Sequence, residues 1–255
     1  MTIWEMVAVC AAGVGAGAIN TVVGSGTLLT FPVLLAVGLP PVTANVSNAL
    51  GLVPGSVSGA IGYRRELRGQ RRRVLLLSGV AFVGALTGAA LLIALPSSAF
   101  DMIVPALIGI ALVLVAVQPW FARVAERRRE KRGRTPHPNG GVMLSTGMLF
   151  SSAYGGYFGA AQGIIYLALM GLFLDEDMQR INAVKNVLGA LVNGTAAVFF
   201  LFVAEFDWTA VLLIAVSSAV GGQFGALVGR RLPPAALRAV VVTIGVAALL
   251  QQLLG

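Results

Sequence analysis

The segment Asn-Ala-Val-Lys-Asn-Val-Leu-Gly, residues 182–189, places a lysine inside an apolar stretch. Between residues 181 and 204 the chain carries no charge other than Lys185. A lysine at the centre of a membrane costs roughly 2.5–3.5 kcal/mol on insertion scales, so one kept there indicates a function. The alternative is that Lys185 lies about a turn and a half inside its helix and extends to the interface near Asp177 or Glu176.

A second copy of this segment lies 138 positions earlier, at residues 44–51. Asn48 of that copy corresponds to Asn186, and Ser47 stands at the position of Lys185. Two further motifs repeat with an offset of 137, namely Gly84-xxx-Gly88 with Gly221-xxx-Gly225, and Leu95-Pro96 with Leu232-Pro233. These matches predict an internal duplication, with one repeat at 1–119, a basic cytoplasmic linker at 120–141 and a second repeat at 142–255.

The composition of the chain predicts a membrane protein. Hydrophobic residues make up 57% and charged residues 11%, with a mean hydropathy of +0.88. Soluble domains carry about 25% charged residues. Residues 6–63 contain no charge at all over 58 positions. As a helix, that run extends ~87 Å, nearly three crossings of a hydrocarbon core about 30 Å thick, which predicts an all-α polytopic protein rather than a β-barrel.

The net charge of +8 comes from arginine-rich loops, mainly at 64–73 and 123–134. Their position next to apolar stretches indicates topogenic charge and contact with anionic lipid headgroups, not nucleic-acid binding. Cys10 is the single cysteine and His137 the single histidine. The sequence therefore predicts no disulfide, no metal site and no cofactor.

Each repeat is predicted to contain one broken element followed by three transmembrane helices. The first element spans 2–37 and breaks at 24–26, and the second spans 142–174 and breaks at 154–163. The piece after the first break has only about 11 residues, too few to cross alone, so the element is expected to re-enter or to cross twice. The predicted full spans are 42–63, 74–95, 100–117, 181–204, 208–229 and 237–254.

The charge of equivalent loops predicts that the two repeats are inverted. The basic loop at 64–73 corresponds to an acidic loop at 205–207, and the basic turn at 230–238 corresponds to a turn at 95–100 without lysine or arginine. Positive loops face the cytoplasm, so equivalent loops lie on opposite sides. Inverted repeats with broken helices enclose a substrate site near the membrane midplane.

The polar groups within the predicted spans favour an anion as the ligand. They comprise amides, hydroxyls and one ammonium, without a carboxylate in the middle of any span, whereas cation sites prefer carboxylates. The helices that begin after the breaks also direct N–H groups and a positive dipole end toward the gap. For the asparagines, hydrogen bonding between helices is the alternative. The predicted substrate-binding residues are Lys185, Asn186, Asn48, Ser47, Gly24, Ser25, Gly26, Gln162, Gly163, Asn182, Asn20 and Tyr157.

Several motifs resemble those of the sulfite exporter TauE/SafE family. They are Gly-x-Gly-xxxxx-Pro-x-Leu-Leu from Gly24, Gly-Leu-Pro-Pro-xx-Ala-xx-Ser-Asn from Gly38, Gly-xxx-Gly-xx-Gly-Tyr from Gly55 and Asn-Ala-xx-Asn from Asn182. The Gly-x-Gly-Ile motif of the second half departs from the pattern, because its first glycine is Ala161. The resemblance implies a plasma-membrane permease for sulfite, sulfonates or related small anions, linked to the proton gradient.

The leading hypothesis is a secondary transporter for a small sulfur-containing or carboxylate anion, working by alternating access. A passive anion channel is the alternative. An intramembrane enzyme is disfavoured, because the predicted spans offer no histidine, no cysteine partner and no mid-span carboxylate for catalysis.

Overall fold

The computed structural model describes residues 1–131, 139–228 and 234–254, and all secondary structure in those ranges is helical. Five of the helices have the length and hydropathy to cross a membrane: Ile3–Val22, Arg71–Ala94, Ser97–Phe121, Met178–Phe200 and Trp208–Leu227. Two shorter apolar helices cover Thr27–Ala36 and Gln162–Phe173. The prediction of an all-helical, polytopic membrane protein is confirmed.

The described residues form ten helices, five in each half. Those of the first half are α1 (Ile3–Val22), α2 (Thr27–Ala36), α3 (Pro41–Gly62), α4 (Arg71–Ala94) and α5 (Ser97–Lys131). Those of the second half are α6 (Gly141–Tyr157), α7 (Gln162–Phe173), α8 (Met178–Phe200), α9 (Trp208–Val228) and α10 (Pro234–Leu254).

Each half begins with a broken pair of helices, as the sequence predicts. The chain leaves the helix between Val22 and Thr27 in the first half, and between Tyr157 and Gln162 in the second. Gly24 has a φ of 89°, and Ala161, at the equivalent position of the second break, has a φ of 60°. Left-handed backbone suits glycine, so the alanine is held there at some cost in strain.

One helix extends well beyond its predicted end. α5 was expected to stop at residue 117, yet it continues to Lys131 with Pro119 inside it. Residues 120–131 of the predicted linker are therefore helical, and neither Pro119 nor the hydrophilic composition ends this helix. Asn139 and Gly140, which are also expected to break helical structure, directly precede α6, whereas Pro136 and Pro138 lie outside the described residues.

The helices of the two halves pack mainly on one another. α9 packs on α1 and α3, while α4 packs on α6 and α8. The helices α3 and α8 also contact each other. Exchanging the first five helices for the second five turns the α1–α9 pairing into α6–α4 and the α3–α9 pairing into α8–α4, and it leaves α3–α8 unchanged. The orientation of the two halves in the bilayer stays a prediction.

The repeated Gly-xxx-Gly pairs lie at equivalent contacts between the halves. A Cβ on Gly88 of α4 would lie 1.9 Å from the Ala153 carbonyl of α6, and one on Gly225 of α9 would lie 2.7 Å from the Ala18 carbonyl of α1. Backbones this close leave no room for a side chain, the arrangement that small residues provide between membrane helices.

α3 forms the interior of the bundle. It contacts α1, α2, α5, α8 and α9, and its buried residues include Asn45, Ser47, Asn48 and Ser56. These polar side chains explain why α3, although 22 residues long, is not among the five most apolar spans. Polar residues in membrane proteins face the interior, where other groups satisfy them.

Candidate functional site

The two helix breaks meet inside the bundle. The main-chain N–H of Gly163 donates to the carbonyl of Gly24 at 3.1 Å. A Cβ on either glycine would lie 2.5 Å from the Cα of the other, so neither position can hold a side chain without backbone movement. Non-helical backbone is thus largely buried in protein at both breaks, the setting in which a membrane protein tolerates it.

Lys185 is directed into the protein and not toward the headgroups. Its side chain lies in α8, only 3% of the residue is exposed, and Nζ donates to the carbonyls of Asn20 at 2.7 Å and Thr21 at 3.0 Å. These carbonyls belong to the last turn of α1, where helix geometry leaves oxygens unpaired and the dipole end is negative. An ammonium has three N–H donors, so one remains beyond these two bonds.

Two asparagines of α8 bind the same end of α1. The Nδ2 atoms of Asn182 and Asn186 lie 3.1 and 3.2 Å from the Thr21 carbonyl oxygen, which also accepts from Lys185. Positions three and four apart share one face of a helix, which explains the convergence. A carbonyl oxygen offers two lone pairs, so three donors exceed its capacity and one can be given up to a ligand.

A small cavity adjoins Lys185. Its volume is about 20 Å³, which is room for one water molecule. It is lined by both halves and both breaks, and the residues around it carry no carboxylate: Asn20, Gly24, Thr27, Ser56, Gly159, Gln162, Gly163, Tyr166, Lys185, Asn186, Gly189 and Asn193.

Hydrogen bonds hold the second-half side of this cavity in place. The Nε2 atom of Gln162 donates to the Tyr166 hydroxyl at 2.8 Å, and that hydroxyl lies 2.6 Å from Oγ of Ser152. Ser152 also donates to the Met148 carbonyl at 2.6 Å. The start of α7 is thereby tied to α6, and the amide of Gln162 has a fixed orientation beside Lys185.

The first-half copy of the asparagine motif hydrogen-bonds to both breaks. Nδ2 of Asn45 donates to the carbonyl of Tyr157, the last residue of α6, at 2.9 Å. Asn48 accepts from the Thr30 hydroxyl and donates to Oγ1 of Thr27 at 3.3 Å, which positions the start of α2. Each motif helix, α3 or α8, therefore caps the broken helix of the other half.

The twelve residues predicted from the sequence fall into three groups. Six line the cavity: Lys185, Asn186, Asn20, Gly24, Gln162 and Gly163. Five lie in the surrounding shell, where Asn182 and Asn48 hydrogen-bond as described, Gly26 packs against the Ala16 carbonyl, and the hydroxyls of Ser25 and Tyr157 are buried without a hydrogen-bond partner in the described part of the chain. Ser47 lies outside the cavity, because its Oγ accepts from the N–H of Asp207 at 3.0 Å.

Six cavity residues were not predicted: Thr27, Ser56, Gly159, Tyr166, Gly189 and Asn193. Gly189 and Asn193 follow Asn186 by three and seven positions, so a search along that helical face would have found them. Tyr166 likewise follows Gln162 by four. Ser56 faces the cavity through its bond with Asn20, where Nδ2 donates to Oγ at 3.1 Å, and only the folded structure reveals that contact.

An ion-pair cluster joins the two halves at the end of the bundle where α8 begins. Glu176 accepts from Arg73 at 2.9 Å and from Arg180 at 2.7 Å, and Nε2 of Gln70 donates to the Arg180 carbonyl at 3.1 Å. Burial disfavours the charged form of Glu176, but the hydrogen bonds from Arg73 and Arg180 outweigh it and hold its pKa below the usual value. Arg180, the member of the cluster in α8, lies five residues before Lys185.

The described residues form a polytopic helical protein with paired broken helices around a polar interior, the arrangement expected of a membrane transporter. The profile of the family described as "Sulfite exporter TauE/SafE" matches residues 9–251, and the chain belongs to this family. The resemblance seen in the motifs is thereby confirmed.

Curated relatives have names of the same class. The "Probable membrane transporter protein YfcA" of Escherichia coli K12 is 25% identical over 216 residues, which cover 82% of this chain and 75% of that protein. A "Probable membrane transporter protein" of Haemophilus influenzae is 25% identical over 215 residues, covering 84% and 81%. A further one from Sinorhizobium, "ORF9", is 25% identical over 210 residues, covering 82% and 77%. No solved structure matches the chain.

Proposed function

We propose that this membrane transporter is a secondary permease of the plasma membrane that moves sulfite, an organosulfonate or a related small sulfur-containing anion. The observation that carries the proposal is the ammonium of Lys185, which is buried beside a cavity whose lining contains no carboxylate. An unpaired charge in a low-dielectric interior is costly, and a bound anion offsets that cost.

The donors around the cavity match an oxyanion. Lys185 retains one N–H after its two bonds to α1, and the lining adds the amides of Asn186 and Asn193 and the hydroxyl of Thr27. Hydrogen bonds to a charged acceptor are stronger than those between neutral groups. A sulfite or sulfonate group, with its negative charge spread over several oxygens, can accept from donors on different helices at once.

The small volume of this cavity supports alternating access as the mechanism. A cavity with room for one water is too small for sulfite, so the lining helices must separate before the anion enters. The contacts around the cavity that would have to yield include the Gly163–Gly24 hydrogen bond and the bonds from α8 to the end of α1. The Glu176 cluster joins the two halves at one end, and we propose that it opens when the site faces that side.

The passive anion channel remains the alternative function. Both would carry the anion down its gradient, but only a transporter can concentrate it. We propose that the driving force is the proton gradient, in line with what the family resemblance implies.

Proteoliposomes that contain the purified chain test this choice directly. An inward proton gradient, with the outside more acidic, is imposed while the sulfite concentration starts equal on both sides. The internal sulfite concentration is then measured over time. A secondary transporter accumulates sulfite above the external concentration, and the accumulation collapses when an ionophore dissipates the gradient. Sulfite that only equilibrates would establish the channel, and an absence of any flux for sulfite or methanesulfonate would reject the proposed substrate class.

A further inference from the structure

A second cavity lies at the membrane surface, between the ends of α3 and α9. Its volume is about 270 Å³, and Gly62, Arg64, Arg65, Ala226 and Leu227 line it. α3 and α9 run in the same direction, and their last turns touch, since a Cβ on Gly62 would lie 2.2 Å from that of Ala226. The cavity is therefore a fixed notch between two packed helices.

Arg64 and Arg65 contribute two positive charges to the lining of this notch. Neither Arg64 nor Arg65 forms an ion pair with a carboxylate within the described ranges 1–131, 139–228 and 234–254. Nη1 of Arg64 donates only to the Ile61 carbonyl, at 3.4 Å. Arginines of the nearby cluster, by contrast, share Glu176. Two guanidinium groups beside a cavity favour an anion, and phosphate suits their forked donor geometry.

An apolar stripe leads from the notch into the membrane. Along α9, the exposed residues Leu212, Val216, Val220, Phe224 and Leu227 lie on one helical face, with exposures between 52% and 72%. On α3, Val57 and Ile61 are exposed as well, at 43% and 50%. The stripe ends at Leu227, which also lines the cavity. Such a stripe offers a soluble anion no favourable contact, whereas the acyl chains of a lipid can pack along it.

We propose that this notch binds one anionic glycerophospholipid. Its phosphate contacts Arg64 and Arg65, and its acyl chains lie along the α9 stripe. The arginine loop at 64–73 is predicted to face the cytoplasm, where anionic lipids attract basic residues and basic pockets between helices hold their headgroups. Because α3 and α9 come from different halves, the bound lipid bridges the halves at this end. This inference is independent of the transported anion.

Native mass spectrometry of the purified full chain tests it. Three proteins are compared: the wild type, the pair Arg64→Gln/Arg65→Gln and the control pair Arg71→Gln/Arg72→Gln. Each is mixed with phosphatidylglycerol or phosphatidylcholine. The control removes the same charge from exposed positions outside the notch, in the first turn of α4. Wild type and control should retain one phosphatidylglycerol at least tenfold better than phosphatidylcholine. The notch pair should lose that preference.

Two results would overturn the proposal. Equal retention of phosphatidylglycerol by the notch pair and the control pair would mean that the arginines act only as diffuse charge. Displacement of the lipid by millimolar inorganic phosphate or glycerol phosphate would identify a site for soluble anions instead. Leu227→Ala provides a second variant with both arginines intact, and it should weaken lipid retention several-fold. An unchanged retention would argue against the acyl-chain stripe.

Discussion

The N–H of Gly163 lies 3.1 Å from the carbonyl oxygen of Gly24, so the break of one half hydrogen-bonds the break of the other. The contact joins the non-helical segment after α1 to the first turn of α7, beside the cavity that Lys185 lines. Its closeness depends on the absence of side chains at both glycines.

Gly163→Ala is expected to destabilise the protein by about 1–3 kcal/mol, the usual cost of overpacking, because the new methyl would lie 2.5 Å from the Cα of Gly24. Thermal unfolding in detergent measures the effect. Gly194→Ala is the control, since a Cβ there meets nothing within 4 Å. The tight contact between the breaks would be contradicted if both variants unfold at the wild-type temperature.

Ala161→Gly is expected to stabilise the protein by about 1 kcal/mol, because residue 161 has a φ of 60° and glycine adopts that backbone without strain. The gain is partly offset by the greater freedom of glycine in the unfolded chain. The same unfolding assay measures it. A lower unfolding temperature for Ala161→Gly would show that the left-handed backbone is not a significant source of strain.

Glu176→Gln is expected to destabilise the protein at neutral pH and to have little effect in strong acid. Partners in the folded state lower the pKa of Glu176, so its contribution is present above the pKa of the unfolded chain and is lost as pH falls through the lowered value. Unfolding temperatures of wild type and variant, measured from pH 7 down to about pH 3, should converge. Asp101→Asn, at an exposed carboxylate, is the control. A difference that stays constant with pH would contradict the ion-pair cluster.

Tyr166→Phe is expected to lower stability by about 1–3 kcal/mol, because it leaves the buried amide of Gln162 without its acceptor. It should also weaken sulfite binding, since Gln162 lines the cavity. Thr87→Val removes a hydroxyl that donates only to its own helix and serves as the control. If Tyr166→Phe and Thr87→Val have the same stability and the same sulfite affinity, the Gln162–Tyr166 hydrogen bond contributes little to either property.

Most of the helical framework could be predicted from the sequence because membrane spans follow from charge-free apolar runs. Both breaks were also predictable, since glycine clusters interrupt those runs at equivalent places. The end of α5 was not, because helix formation continues past Pro119 in a hydrophilic stretch.

The site was predictable only in part. Lys185 was found as an isolated charge, but its partners were not, because the Asn20 and Thr21 carbonyls are main-chain atoms that any residue supplies. Ser47 shows the opposite limit: it occupies the position of Lys185 in the repeat, yet its short side chain instead accepts from the N–H of Asp207, next to the start of α9. Equivalent positions in a repeat need not have equivalent contacts.

The most direct test of the account is sulfite flux through Lys185→Ala in proteoliposomes, compared with Lys131→Ala, which changes the only other lysine of the chain. Loss of the ammonium is expected to reduce flux at least 100-fold, about 3 kcal/mol, while the Lys131 variant keeps the wild-type rate. Both variants should be incorporated into the vesicles equally. Flux through Lys185→Ala equal to that of wild type would contradict the central claim that the buried ammonium binds the transported anion.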